Sequence, residues 1–355
     1  MSSNTIAKAD LGFVLIVEYG DIENKALLLI QSIRRFLNSG AICPIIAVRP
    51  RKGREIREST LKMFKKYDVT YVYKPINHNW RNLPMANQAY GAAIAEKLLQ
   101  DKVSTLVYLD ADIVTVNDPR DIILPEGKDV AVRPVDYSES SVIEFGKTLN
   151  EYWKAIFDIN PPRIDSLQYC ETTVDKIKIV PCFNSGVVAV KPNCGLFQRW
   201  MESFEEAYRT EYFRKLSPIS LNFKLGEIFR IKRWDIFSKE FFFLDQPLLS
   251  SAILSLVPSS RLLILDEKFN HPVIFGDPLK YRWKSTSESI VFLHYHSNFY
   301  DLTWKDSISL ESETLSWLLQ RLPLPKEKHH TYFTMREIVS QTLLKFYHYF
   351  IHNKK

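Results

Sequence analysis

Three kinds of sequence feature are missing from this chain of 355 residues. No G-x-G-x-x-G follows the first apolar segment and no G-x-x-x-x-G-K-[ST] occurs anywhere, which argues against a classical dinucleotide-binding protein and a P-loop NTPase. The four cysteines (Cys43, Cys170, Cys182 and Cys194) include no C-x-x-C pair, so we expect reduced thiols rather than a zinc site or a disulfide framework. No apolar run approaches the roughly 20 residues that span a bilayer, and residues 1–10 are polar without a signal-peptide pattern. We therefore expect a cytoplasmic protein.

The composition is that of an ordinary globular protein. Hydrophobic residues make up 46% of the chain and charged residues 25%, which allows a sizeable core. The formal charge of +6 is modest, and its one local cluster, residues 49–57, reads as a solvated loop and helix start. We therefore expect no nucleic-acid partner, whereas anionic substrates or membrane surfaces stay open as partners.

Apolar segments alternate with helical patterns over the first 110 residues. Runs of consecutive apolar residues predict buried strands at 12–17, 45–48, 70–73 and just before residue 110. Apolar residues at helical spacing predict helices at 23–37, 54–67 and 85–100. Strands that are apolar throughout indicate a mainly parallel sheet flanked by helices, the α/β class.

After residue 112, strands and helices no longer alternate regularly in the sequence pattern. It predicts helices at 144–157, 197–208 and 241–254, and strands at 177–180, 186–190 and 290–296. We assign residues 10–305 to one domain and residues 306–355 to a C-terminal helical extension. Apolar residues from 335 to 350 share one helical face, with basic residues around it. This predicts either a helix docked on the domain or an amphipathic helix in peripheral contact with an anionic membrane.

The segment Tyr108-Leu-Asp110-Ala-Asp112 is the most informative in the chain. An apolar strand delivers two carboxylates to the end of a sheet, and the C-terminal ends of strands in α/β sheets are where ligands usually bind. Carboxylates two residues apart can serve one hard cation. The pair is also compatible with a solvated turn, so its meaning depends on the rest of the sequence.

Three further elements follow this Asp-x-Asp motif in a fixed order. They are Phe183-Asn-Ser-Gly186, Leu244-Asp-Gln-Pro247 and Phe292-Leu-His-Tyr-His296. Together the four elements resemble the family-8 type of retaining glycosyltransferases, over about residues 12–304. The resemblance implies a GT-A fold with a nucleotide-binding sheet, a nucleotide-sugar donor and a divalent metal, usually Mn²⁺, with Mg²⁺ as the alternative.

The resemblance also implies roles for individual residues. Asp110 would meet the ribose and the metal, Asp112 would ligate the metal directly, and His294, or else His296, would be the third ligand. Asn184 would hydrogen-bond the donor sugar and Gly186 would let the backbone approach it. Asp245 would recognise a sugar hydroxyl and Gln246 would lie near the anomeric carbon.

Other candidate donor contacts are less specific. In the family the loop after the first strand holds the nucleoside, so Tyr19 is a candidate to stack on uracil and Asp21 to bind its polar edge. Arg81 is a candidate phosphate contact. The family's glycine after the metal histidine is missing, and its diphosphate lysine is not in the usual place; Lys305, Arg282 and Lys284 are alternative replacements.

The sequence thus predicts a metal-dependent glycosyltransferase. It would move a hexose from a UDP-sugar, with retention, to a hydroxyl of a glycan, lipid or protein acceptor. One alternative is a nucleotidyltransferase of the same fold, which would require a glycine-rich, basic loop where residues 17–21 are acidic with one glycine. The other is an inactive glycan- or nucleotide-binding protein.

Overall fold

The computed structural model describes residues 8–37, 43–80, 83–138, 142–216, 239–273, 290–296, 299, 308 and 310–324. The strands of these ranges, in chain order, are β1 (Ala9–Ile16), β2 (Ile45–Arg49), β3 (Val69–Tyr73), β4 (Val103–Leu109), β5 (Ile113–Thr115), β6 (Val130–Pro134), β7 (Cys170–Glu171), β8 (Lys178–Ile179), β9 (Phe183–Val190), β10 (Leu262–Ile264), β11 (His271–Pro272) and β12 (Phe292–His294). The α-helices are α1 (Asp21–Phe36), α2 (Glu58–Lys66), α3 (Ala86–Leu99), α4 (Glu151–Ile159), α5 (Leu196–Arg209), α6 (Glu211–Leu216), α7 (Lys239–Phe242), α8 (Asp245–Leu256) and α9 (Ser312–Leu319).

A seven-stranded sheet organises the fold in the order β10-β6-β9-β4-β1-β2-β3. Strands β4, β1, β2 and β3 are mutually parallel, as are β10 and β6. Strand β9 runs antiparallel to both of its neighbours, β4 and β6. The predicted α/β class with a mainly parallel sheet is therefore confirmed.

Apolar side chains cover both faces of this sheet. One face packs on α3, α5 and α8, and the other on α1 and α2. Helix α3 comes close to the sheet because it is rich in small residues: a Cβ on Gly91 would lie 2.1 Å from Cδ1 of Ile16. Burial of both faces explains why the strands are apolar at every position instead of alternating.

A smaller sheet forms beside the end of β4. Its order is β11-β12-β5, with β12 antiparallel to β5 and parallel to β11. Helix α9 packs on this sheet, and its Leu318 shares a buried cluster with Val114 and Leu293. The boundary between residues 305 and 306 stays a prediction, and the helical face at 335–350 lies outside the described residues.

The prediction for residues 144–157 was wrong at its start. Glu144 forms a bridge with Ile179, and the helix begins only after Asn150, whose side chain accepts a hydrogen bond from the backbone N–H of Trp153 at 2.9 Å. An asparagine that caps the first turn in this way outweighs the apolar spacing before it. Within the described part of the chain, no helix has the length and apolar character needed to cross a membrane.

Candidate active site

The paired aspartates lie at the C-terminal end of the central strand β4, as predicted. The backbone N–H of Asp110 donates to the carbonyl of Gly186 at 2.9 Å, and the carbonyl of Asp112 accepts from the N–H of Tyr295 at 3.0 Å. These two hydrogen bonds attach the aspartate turn to β9 on one side and to the end of β12 on the other. The Asp-x-Asp, Asn-Ser-Gly and histidine elements therefore meet at one edge of the sheet.

The antiparallel pairing of β12 with β5 brings both histidines to Asp112. His294 lies opposite Ile113 in the ladder, and its Nε2 is 3.2 Å from Oδ1 of Asp112. His296 follows the strand in a left-handed conformation (φ 51°), and its ring centroid is 3.9 Å from that of His294. Ligand atoms of Asp112, His294 and His296 all lie within 4.8 Å of one another. One carboxylate and two imidazoles are a donor set that first-row divalent metal ions accept.

A chain of hydrogen bonds fixes which nitrogen of His294 carries a proton. The backbone N–H of Gly186 donates to Oδ1 of Asn184 at 2.8 Å, so that atom must be the oxygen. The same oxygen is 2.9 Å from Asn270, which must present its amide nitrogen there. Asn270 therefore turns its oxygen to Nδ1 of His294, 3.0 Å away, and Nδ1 must be the protonated nitrogen. Nε2 of His294 faces Asp112, where it can act as a metal ligand.

Gly186 leaves the room that this arrangement needs. A Cβ at this position would lie 3.0 Å from Oδ1 of Asn184 and 3.0 Å from Cε1 of His294. Both distances are tighter than ordinary van der Waals contact. A side chain here would therefore press directly on the histidine.

Asp110 has different partners from Asp112. Its Oδ1 accepts hydrogen bonds from the Tyr108 hydroxyl at 2.6 Å and from Nε2 of Gln88 at 2.9 Å. Burial, followed by the neighbouring charge of Asp112, raises the pKa of the Asp110 carboxyl. The group of three ligand atoms described above contains Asp112 but not Asp110, so the expectation that Asp110 ligates a metal stays a prediction.

Asp245 and Gln246 open helix α8 behind β9. The Asp245 carboxyl is buried, and its Oδ2 accepts a hydrogen bond from the Ser185 hydroxyl at 2.5 Å. Its other oxygen, Oδ1, is buried and has no hydrogen-bond partner within the described ranges. Burial raises the pKa of Asp245 to about 6, although the Ser185 hydrogen bond works in the opposite direction. An acceptor with this environment suits a ligand hydroxyl. Gln246 beside it is half-buried.

Lys25 is a site residue that the sequence did not reveal. It lies in α1, and its Nζ is 3.1 Å from Oδ2 of Asp112 and 3.0 Å from the carbonyl oxygen of His296. Burial works against the ionised form of Asp112, but the neighbouring Lys25 ammonium brings its pKa below the usual range. Asn270 was missed as well. A lysine in an amphipathic helix and an asparagine in a short loop belong to no recognisable sequence motif. The one available signal is that β1 and β4 are neighbours in the sheet, because this places the start of α1, which follows β1, near Asp112.

The remaining candidates have mixed outcomes. The ring of Tyr19 lies under the guanidinium groups of Arg54 and Arg57, at 3.8 and 5.0 Å. Asp21 is the first residue of α1. The nucleoside roles of both residues stay predictions. Arg81, Arg282, Lys284 and Lys305 lie outside the described residues.

Comparison with protein families identifies the class of protein. Residues 13–218 match the model of the Rhodobacterales glycosyltransferase domain, which is more than half of the chain. The chain belongs to this glycosyltransferase family. The predicted glycosyltransferase is confirmed at this level. No curated protein matches the chain.

Solved glycosyltransferase structures resemble the chain at low sequence identity. The apo structure of the bifunctional glycosyltransferase WbbM is 11% identical, with a TM-score of 0.48 over 89% of this chain and 52% of WbbM. This chain therefore spans about half the length of WbbM. Mouse xyloside xylosyltransferase 1 is 13% identical (TM-score 0.42; 82% of this chain, 99% of that one). The galactosyltransferase LgtC, in complex with donor and acceptor sugar analogues, is 10% identical (TM-score 0.42; 92% and 99%).

Proposed function

We propose that this glycosyltransferase uses a UDP-sugar donor and a divalent metal, most simply Mn²⁺, and transfers a hexose with retention to an acceptor hydroxyl. The observation that carries the proposal is the convergence of Asp112, His294 and His296 at the end of β4. A mixed carboxylate and imidazole set favours Mn²⁺ over Mg²⁺, because Mg²⁺ prefers oxygen ligands.

The polar residues around this cluster are assigned complementary tasks. Asp112, His294 and His296 would hold the metal, which when bound supplies Lewis-acid neutralisation of the leaving diphosphate. Asn184 and Gly186 would lie against the donor sugar, next to the metal ligands. The buried Oδ1 of Asp245, which lacks a partner within the described ranges, would accept a hydrogen bond from a sugar hydroxyl. Gln246 would face the anomeric carbon and stabilise positive charge there, since an amide is a poor nucleophile.

The experiment is a donor screen with a matched pair of variants. Wild-type protein is incubated with a panel of UDP-hexoses with and without Mn²⁺, and release of UDP and affinity for UDP are measured. Asp112→Asn should abolish Mn²⁺-dependent UDP binding, because it removes the charged ligand. Asp165→Asn, in an exposed pair with Arg163, should leave it unchanged. Unchanged UDP affinity of Asp112→Asn in Mn²⁺ would refute the site assignment.

Two further measurements separate the alternatives. Pyrophosphate release from UTP and a sugar phosphate would indicate the nucleotidyltransferase. Binding of UDP-hexose without any hydrolysis or transfer would indicate an inactive binding protein. The anomeric configuration of the product, read by NMR, tests retention.

A further inference from the structure

The Lys25 ammonium occupies one side of the proposed metal site. It reaches across from α1 to Oδ2 of Asp112 and to the carbonyl oxygen of His296, at 3.1 and 3.0 Å. The Lys25 side chain is 11% exposed and that of Asp112 is 25% exposed, so both groups border solvent that a ligand can enter. The other carboxylate oxygen of Asp112, Oδ1, lies 3.2 Å from Nε2 of His294.

We propose that Lys25 is an exchangeable counter-ion of the donor site: it holds Asp112 until the donor arrives and then binds the donor's diphosphate. This inference rests on the function proposed above. The ammonium and a divalent ion compete for the same carboxylate, and they repel each other at these distances. A metal ion alone therefore binds weakly, whereas a diphosphate that arrives with it supplies new oxygens for the displaced ammonium.

The chemistry of lysine fits this exchange. An ammonium on a flexible four-carbon stem binds phosphate as a point charge and does not need a fixed orientation. Lys25 lies in the second turn of α1. A small rotation of its side chain therefore moves the ammonium from Asp112 towards a diphosphate bound beside Asp112, His294 and His296. It thus supplies a cation for the diphosphate from α1, a different element from the one that carries the family's lysine.

The consequence is an energetic coupling between metal and nucleotide. Mn²⁺ and UDP should each raise the affinity of the protein for the other, and by the same factor, since coupling is reciprocal. Lys25 increases this factor because it weakens the binding of Mn²⁺ alone, whereas in the complex with both ligands the displaced ammonium binds the diphosphate. Without the ammonium, Mn²⁺ alone should bind roughly tenfold more tightly, and UDP in the presence of Mn²⁺ should bind roughly tenfold more weakly.

The test is a set of titrations on the full chain. Affinities for Mn²⁺ alone, UDP alone and each in the presence of the other are measured by calorimetry for wild type, Lys25→Met and Lys25→Gln. Lys62→Met is the matched control, because Lys62 forms an exposed pair with Glu58 on α2. The two Lys25 variants should show tighter binding of Mn²⁺ alone, weaker binding of UDP in the presence of Mn²⁺ and a reduced coupling factor, and the control should resemble wild type.

The outcomes separate this inference from the proposed function. If wild type binds UDP with Mn²⁺ and both folded Lys25 variants have its affinities and coupling, the role of Lys25 is overturned and the donor site stands. If no protein of the set binds UDP with Mn²⁺, the donor site itself is wrong and the inference falls with it. Far-UV circular dichroism confirms folding, and the two replacements differ enough that a packing defect in one does not decide the result.

Discussion

Replacement of Asn270 tests how the site selects the nitrogen of His294 that we propose binds the metal. Asn270 is fully buried, and its amide joins Nδ1 of His294 to Oδ1 of Asn184. In Asn270→Leu the proton on Nδ1 loses its acceptor, and the imidazole gains by moving the proton to Nε2, where Asp112 accepts it 3.2 Å away. The nitrogen that should ligate the metal is then protonated.

Two magnitudes follow from this loss. Removal of a ligand histidine's outer hydrogen-bond partner typically costs 10–100-fold in metal affinity, which is about 1.4–2.7 kcal/mol. Nδ1 is then a buried acceptor without a partner, which costs about 1–3 kcal/mol of folding free energy. We therefore expect Asn270→Leu to be less stable and to bind Mn²⁺ 10–100-fold more weakly. Calorimetric Mn²⁺ titration and urea unfolding measure the two effects.

Two variants separate control of the tautomer from loss of packing. Asn270→Asp keeps an acceptor for the Nδ1–H of His294, so it should retain Mn²⁺ affinity. Its second carboxylate oxygen faces Oδ1 of Asn184 where the wild type has a donor, so the variant should be less stable. Asn160 is also fully buried and bonds Ser203 and Ser251, each at 2.8 Å. Asn160→Leu should therefore destabilise the protein without an effect on Mn²⁺. A folded Asn270→Leu variant with wild-type Mn²⁺ affinity would refute the reasoning.

Two further predictions concern Gly186 and Glu96. Gly186→Ala places a Cβ 3.0 Å from His294 and should weaken Mn²⁺ binding, whereas Gly53→Ala, with no atom within 4 Å of its Cβ, should not; equal Mn²⁺ affinities would contradict this. Burial raises the pKa of Glu96 from 4.5 to about 7, against hydrogen bonds from the first turn of α5. The folded state then holds its proton more tightly than the unfolded state, so the free energy of unfolding should fall by at most roughly 3 kcal/mol as pH rises from 4.5 to 7. In Glu96→Gln, urea unfolding across this pH range should show a smaller decline in the free energy of unfolding. If the decline is the same as in wild type, Glu96 does not cause it.

The strands and the position of the aspartates could be predicted because they depend on local patterns. Runs of apolar residues gave the four parallel strands, and Asp110 and Asp112 follow the central one. The start of the helix at Glu151 was missed because one capping side chain, Asn150, decided it. The spacing of apolar residues contains no information about such a capping hydrogen bond.

The partners of the site residues could not be predicted, because they come from distant parts of the chain. Lys25 and Asp112 are 87 positions apart, and Asn184 and Asn270 are 86 apart. Their contacts depend on where α1 packs and on how the loop before β11 enters the small sheet. Tyr19 illustrates the same limit: the sequence indicates an aromatic ring after β1, but not that Arg54 lies over that ring.

The direction of β9 explains why one strand can serve both halves of the site. Because β9 runs antiparallel to β4, its first residues lie at the edge where β4 ends. Successive side chains of a strand point to opposite faces. Asn184 thus reaches the histidine side through Asn270, while Ser185 reaches Asp245 on the helix α8 side. A shift of β9 moves the proposed metal ligands and the proposed sugar-binding residues together, so we expect substitutions in residues 183–186 to affect metal and donor binding jointly.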